Sequence, residues 1–160
     1  MYKPKTLVYL DPEMHLAYMG GLVDGEGYIS LVPVRNKTQE KKDFYLVPTV
    51  KVASTYLDVL DYIKEEHGGH ISKLRVINKR CKPARSWELR NRKLVYKFLH
   101  SIYPHLRIKK EQAKIVLRFI CEIETDKNKR GMQNKMPQSK RDEYYKLIRK
   151  LNKRGPATTE

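Results

Sequence analysis

Apolar positions along this chain recur with two periods, and the switches between them mark out its elements. Asp11-Pro12-Glu13 reads as a helix start: Asp11 can cap, Pro12 suits the first helical position and Glu13 favours the positive end of the helix. The helix continues through Leu16, Ala17, Met19, Gly20, Gly21, Leu22 and Val23. It is apolar on nearly every side and is therefore predicted to be buried. Two adjacent glycines inside a helix each cost roughly 1 kcal/mol against alanine, so something must need backbone at close range there. Residues 28–35 then alternate as a strand, Ile29 and Leu31 sharing one face and Tyr28, Ser30 and Val32 the other. A polar turn from Asn36 to Lys42 leads to a second strand over 44–53, in which Leu46, Val50 and Val52 alternate with Tyr45, Thr49 and Lys51. Helical spacing returns over 56–67, with Leu57, Leu60 and Ile63 inward, and Gly68-Gly69 stops it.

A second strand pair follows over 70–78 and 84–90, joined by a basic turn from Asn78 to Pro83. In its second strand Trp87 and Leu89 face in, and Ser86, Glu88 and Arg90 face out. Arg92 to Tyr103 is amphipathic, with Leu94, Val95, Phe98, Leu99 and Ile102 on one side. After Pro104 a longer helix begins near Lys109, residues 126–138 read as a polar loop, and a last helix covers about 139–152. The expected order is helix, two strands, helix, two strands and three helices: an α+β fold in a single domain over 1–160. Residues 1–10 form an N-terminal extension and 153–160 a frayed tail. No second copy of the glycine-rich segment is present.

Composition narrows the partners. The chain carries 34 Lys and Arg against 18 Asp and Glu, a formal charge of +16. That excess favours a polyanion, nucleic acid first, although a ribosomal-type protein or a basic protein without such a ligand would carry the same charge. The two cysteines, Cys81 and Cys121, form no Cys-x-x-Cys or Cys/His cluster, which argues against structural zinc. His67, His70, His100 and His105 lack metal-ligand spacing and read as surface or helix-end residues. Tyr62, Tyr96 and Tyr144 sit at helical core spacing, and no stacking platform for single strands is evident. Gly25-Glu26-Gly27 follows a helix and precedes a strand, the reverse of a dinucleotide fingerprint. No apolar run reaches membrane-spanning length, and the N-terminus lacks the apolar stretch of a secretory signal. No membrane partner is expected, and a soluble intracellular compartment follows, whether prokaryotic cytoplasm or organelle matrix or stroma.

Met19-Gly20-Gly21-Leu22-Val23-Asp24-Gly25-Glu26-Gly27 resembles the signature of the LAGLIDADG homing endonucleases. Gly21, Leu22, Asp24 and Gly27 match it directly. Val23 replaces a similar apolar residue, Glu26 replaces Asp, and Gly20 and Gly25 replace small alanines. The element order matches the family's αββαββα core with extra C-terminal helices. Leu106 to Ala113 resembles the family's lead-in to its fourth helix, so the resemblance spans roughly 12–152. It implies a site-specific double-stranded DNA endonuclease that cuts a long pseudo-palindromic target by Mg²⁺-dependent hydrolysis, with Mn²⁺ or Ca²⁺ able to occupy the same sites.

The physics of the motif agrees. Glycines at 20 and 21 strip side chains from a helix face and let two helices approach closely. The chain carries one motif, and the resemblance implies that the second comes from a symmetry mate, so a homodimer is expected. Leu16, Met19, Gly20, Gly21, Val23 and Asp24 are its expected interface. Helix pairing brings two Glu26 carboxylates together, and they repel unless a cation lies between them. The resemblance adds the Gly25 carbonyl to the metal shell and Lys109 as the active-site lysine, which stabilises charge on the phosphate or orients water. Ser54 stands where relatives place a water-organising residue, often Gln; it is shorter, and Thr55 or Lys51 are the substitutes.

The implied antiparallel four-stranded sheet would lay its outer face in the major groove. Outward candidates are Ser30, Val32, Arg35, Thr49, Lys51, Ser72, Ser86, Glu88 and Arg90, with Lys73 and Arg75 at the sheet rim or on a bulge. Turn residues Lys37, Lys41, Lys42, Lys79, Arg80, Lys82 and Arg85, and the tail residues Lys153 and Arg154, are expected on phosphates, which position without specifying. The alternatives are an intron maturase binding its own intron RNA and a non-cleaving DNA-binding regulator. The retained Glu26 and Lys109 favour the enzyme over both.

Overall fold

The computed structural model of the chain describes residues 11–35, 44–74, 82–125 and 136–153. Helix α1 spans Pro12–Glu26, and the Asp11 side chain accepts from Glu13 N at 3.1 Å, the expected cap. Strands β1 (Gly27–Arg35) and β2 (Phe44–Ser54) form an antiparallel pair, followed by α2 (Leu57–His67). Strands β3 (His70–Lys73) and β4 (Arg85–Leu89) form the second pair, and α3 covers Arg92–Ile102. A 3₁₀ turn, Tyr103–His105, leads to α4 (Lys110–Thr125) and then α5 (Gln138–Asn152). Strand β3 covers the described start of the segment expected over 70–78, whose residues 75–78 lie outside the described residues, and the other boundaries agree within two residues.

The four strands form one antiparallel sheet in the order β1-β2-β4-β3. Register puts Ile29 opposite Val50, Val50 opposite Leu89 and Val52 opposite Trp87, which fixes the inner face. Met19 and Val23 of α1, Leu60 and Ile63 of α2, Phe98 and Leu99 of α3, and Val116 and Ile120 of α4 close over it in one core. At roughly 1.5–3 kcal/mol for each large apolar side chain removed from water, this core is the main driving force of the fold. Helix α5 lies along the β1 edge, where Asn152 Nδ2 donates to Ile29 O at 2.9 Å and Arg141 Nη1 to Phe44 O at 2.5 Å. One carbonyl of edge strand β1 and one at the start of β2 thus accept side-chain hydrogen bonds from α5.

Gly68 and Gly69 take positive φ, 74° and 95°, where L side chains are strained. A Cβ on Gly69 would stand 2.7 Å from both Glu88 O and the Trp87 ring nitrogen. The tight turn lets buried Trp87 donate from Nε1 to Gly68 O at 2.7 Å. Phe98 meets the Trp87 ring edge-on at 5.5 Å and the His67 ring at 4.8 Å.

Candidate active site and nucleic-acid face

The C-terminal end of α1 collects the chemistry. Glu26, its last residue, is exposed, as is Gly25 before it. Asp24 turns inward and is only 8% exposed. Its Oδ2 accepts from the backbone N–H groups of Arg107 (2.6 Å) and Ile108 (3.1 Å), and its Oδ1 from that of Lys109 (2.9 Å). Asp24 therefore caps the start of α4 from a distant part of the chain. The Lys109 ammonium donates to the Asp24 main-chain carbonyl, so the lysine is tethered beside Gly25 and Glu26. Burial of Asp24 opposes its charge, but the three N–H donors and the Lys109 charge outweigh it and hold the carboxyl below the usual range.

This end of α1 suits a divalent cation. Carbonyls at a helix C-terminus carry the negative end of the macrodipole, and the Glu26 carboxylate adds to it. Yet among the described residues no cluster of three or more His, Cys, Asp or Glu side chains could hold a metal ion. One chain supplies a carboxylate and carbonyls only, and a complete shell needs oxygens from a second chain, water or phosphate. Ser54 closes β2, and its Oγ accepts from Tyr56 N at 3.0 Å. That local turn occupies the acceptor side of the hydroxyl and leaves its proton to donate.

The expected dimer residues divide differently from the sequence reading. Met19 and Val23 are fully buried in the chain's own core, and Leu16 packs against it. Asp24 serves its own α4. A Cβ on Gly20 would lie 2.7 Å from His105 Cβ and 3.1 Å from the His105 carbonyl, so Gly20 admits the 3₁₀ turn of the same chain. Of the six residues, only Gly21 is exposed, and a Cβ there meets nothing within 4 Å. The outward stripe is Ala17, Gly21 and Gly25, one helical turn apart, with Met14 and Tyr18 exposed beside it.

Helix α1 also meets α2 through its first turn. His15 Nδ1 shares a hydrogen bond with the Tyr62 hydroxyl, and His15 Nε2 lies 3.2 Å from His67 Nε2. Burial and then the neighbouring His15 push the His67 pKa down to about 4, with Lys97 adding to the shift and Glu66 opposing it. His67 is thus a helix-end residue, as expected, but one held neutral inside a contact that the sequence spacing did not suggest.

Register settles which sheet residues face away from the helices. Tyr28, Lys51, Glu88 and His70 stand opposite one another across all four strands, and Ala53, Ser86 and Ser72 form the next row. Ser30 and Thr49 pair on the other side of the long row, and Val32 pairs with Val47 beyond them. The expected outward residues on these strands therefore lie on the outer face, except Arg35. It shares the parity of Ile29 and Leu31 and reaches solvent only because it ends β1. Three are covered in spite of their orientation: Thr49 is fully buried, Ser30 is 5% exposed and Ser86 is 7% exposed. The Thr49 and Ser86 hydroxyls donate to Val47 O and Trp87 O.

Lys51 Nζ lies 3.1 Å from Glu88 Oε1, and Arg90 Nε donates to the same oxygen at 2.6 Å. Burial alone would raise the Glu88 pKa, but these two cations lower it. Lys73 and Arg85 stand opposite each other at the sheet end, so Lys73 is a rim residue and Arg85, expected in the turn, is the first residue of β4. Facing like charges destabilise a strand pair unless an anion joins them. Lys37, Arg75, Arg80 and Arg154, with turn residues Lys41, Lys42 and Lys79, lie outside the described residues. Lys82 is exposed. Lys153 is exposed at the α5 end, in a groove of about 690 Å³ between α5 and β1 that Tyr28, Lys146, Arg149 and Lys150 also line. The sequence reading passed over Lys146, Arg149 and Lys150, although their helical spacing marks one basic face.

Comparison with solved structures now bears on this geometry. The chain superposes on the homing endonuclease I-CvuI, solved in complex with its target in the presence of Ca, with a TM-score of 0.65 at 21% identity. The match covers 93% of this chain and 88% of that one. The homing endonuclease I-TnaI gives 0.66 at 18% identity, over 91% and 90% of the two chains. The LAGLIDADG homing endonuclease I-GzeII, solved in complex with a DNA target, gives 0.57 at 14% identity. This chain has the LAGLIDADG fold. It spans 89% of its own length in that last match but only 43% of I-GzeII, so one copy of the LAGLIDADG fold here answers to part of a longer chain there. No family model matches the chain, and no curated protein matches it. No helix among the described residues is long and apolar enough to cross a membrane.

Proposed function

We propose that this protein is a site-specific double-stranded DNA endonuclease that acts as a homodimer with Mg²⁺. The observation that carries the reading is the end of α1, where Lys109 is tethered to the Asp24 carbonyl, Gly25 and Glu26 follow exposed, and the helix presents an open face of small residues. Pairing two such faces across a two-fold axis brings two incomplete carboxylate sites together. A cation shared by two carboxylates, water and phosphate oxygens relieves their repulsion and supports in-line attack on a phosphodiester. Glu26 and the Gly25 carbonyl would hold the metal, and Mn²⁺ or Ca²⁺ fits the same oxygen donors. Lys109 would stabilise the developing phosphate charge, and the Ser54 hydroxyl would donate to a bound water. Each site would cut one strand and the dimer would leave a staggered break.

The outer sheet face and the α5–β1 groove complete the reading. Lys51, Glu88, Arg90, Ser72 and Val32 would meet base edges in the major groove, and Arg35, Lys73, Arg85 and Lys153 would meet phosphates; the register of the outer face and the basic groove support this reading. Their homing-endonuclease neighbours include structures solved on DNA, among them I-CvuI with Ca. The test is cleavage of a selected target plasmid in Mg²⁺ by the Glu26→Gln variant. The expected outcome is loss of cutting with DNA binding kept; undiminished cutting would sink the proposal.

A further inference from the structure

The outer face of the sheet is uneven in a way that bears on which base pairs it can read. One row of long polar side chains, Tyr28, Lys51, Glu88 and His70, crosses all four strands. Short side chains flank it on both sides: Ser30 and Thr49 on one, Ala53, Ser86 and Ser72 on the other. In a groove, the long row makes first contact and the short rows leave space.

At Glu88 this row is joined by Arg90, which follows the end of β4, and the charges there are ordered. Lys51 Nζ and Arg90 Nε reach the same Glu88 oxygen, Oε1, at 3.1 and 2.6 Å, and the Glu88 side chain is the least exposed of the three at 19%. The arrangement is donor, acceptor, donor, with Oε2 left for a further donor. Across the major groove an A·T pair offers N7 acceptor, N6 donor and O4 acceptor in that order, the complement of this pattern. A G·C pair offers two acceptors, N7 and O6, and then the N4 donor. Unaccompanied Lys or Arg would favour guanine. A carboxylate fixed between them sets an acceptor against O6 and penalises that choice.

We infer that the Lys51–Glu88–Arg90 cluster reads an A·T base pair at one mirrored position in each half-site, Glu88 accepting from adenine N6–H while Lys51 and Arg90 donate to the flanking O4 and N7. The inference rests on the DNA-binding reading above and sharpens it to a base preference. Glu88 here determines specificity in its own right and also positions the two cations.

The full chain can be tested by selecting bound duplexes from a randomised library in Ca²⁺, for the natural protein and for Glu88→Gln. The natural protein is expected to fix the mirrored A·T pair, with a G·C replacement weakening binding about ten-fold. In Glu88→Gln the preference at that pair should relax toward G·C, while affinity for unmatched duplexes rises because the chain loses a negative charge. A merely structural role would lower both affinities together. If circular dichroism shows Glu88→Gln misfolded, Lys51→Met must relax the same mirrored pair and no other. A G·C pair fixed by the natural protein, or a consensus that these variants leave unchanged, overturns the inference. Failure of the natural protein to enrich any duplex overturns the DNA-binding reading beneath it.

Discussion

Gly20 and Gly21 are chain neighbours in one helix, yet they answer to different surfaces. Gly20 faces inward, where a methyl group would strike the His105 backbone of the same chain. Gly21 faces outward, where a methyl group meets nothing. The first glycine is explained by the protomer and the second is not. Had both been buried against their own chain, α1 would read as an ordinary core helix. The open stripe of Ala17, Gly21 and Gly25 is the face that the proposed dimer would use, and Gly21 costs helix stability there without serving its own fold.

The contrast can be broken experimentally. Gly21→Leu should give the largest effect: loss of the dimer by sedimentation and loss of DNA cleavage, with the monomer's circular dichroism unchanged. A dimer that survives this change would place its interface elsewhere. Gly20→Ala should act on the fold instead, destabilising it by about 1–3 kcal/mol in urea titration because the 3₁₀ turn must shift. Gly21→Ala in the same titration, run dilute enough for monomer, should be neutral or stabilising by up to about 1 kcal/mol.

The buried side of α1 also has a pH limit. His67 is neutral when folded, with a pKa of about 4 against 6.5 when free. Its contribution is complete above pH 6.5. It is lost as pH falls toward 4, because the unfolded chain takes up a proton that the folded chain resists. The full shift corresponds to about 3 kcal/mol, and solvent at the half-buried ring reduces this to about 2. His67→Gln should flatten that part of the stability profile, and an unchanged slope would remove His67 as its cause.

How much was legible in advance varied with how local the cause was. Alternation in β1, β2 and β4 named the inner face because each strand carries its period in its own residues. The motif pointed to the end of α1, where the Lys109 ammonium donates to the Asp24 carbonyl two residues before exposed Glu26. The partition of α1 was not legible, because that helix is apolar on both its covered and its open sides. Met19 and Val23 therefore looked as eligible for a partner as Gly21. Asp24 could not be read as a cap either, since its three donors lie more than 80 residues away. For Ser30, Thr49 and Ser86 the pattern gives orientation correctly but says nothing of how far each side chain is covered. His15 and His67 were missed because their meeting needs α1 and α2 already packed.

Trp87 is the chain's one tryptophan, and its position gives the molecule a built-in optical gauge. The indole is buried, its N–H is tied to the Gly68 carbonyl, and Phe98 links it to the His67 ring. Along β4 it adjoins Glu88, whose side chain points to the opposite face of the sheet. Its emission should therefore respond to protonation on the helical side and, if the proposed face takes up duplex, to that occupancy as well, two signals separable by titrating acid and duplex in turn.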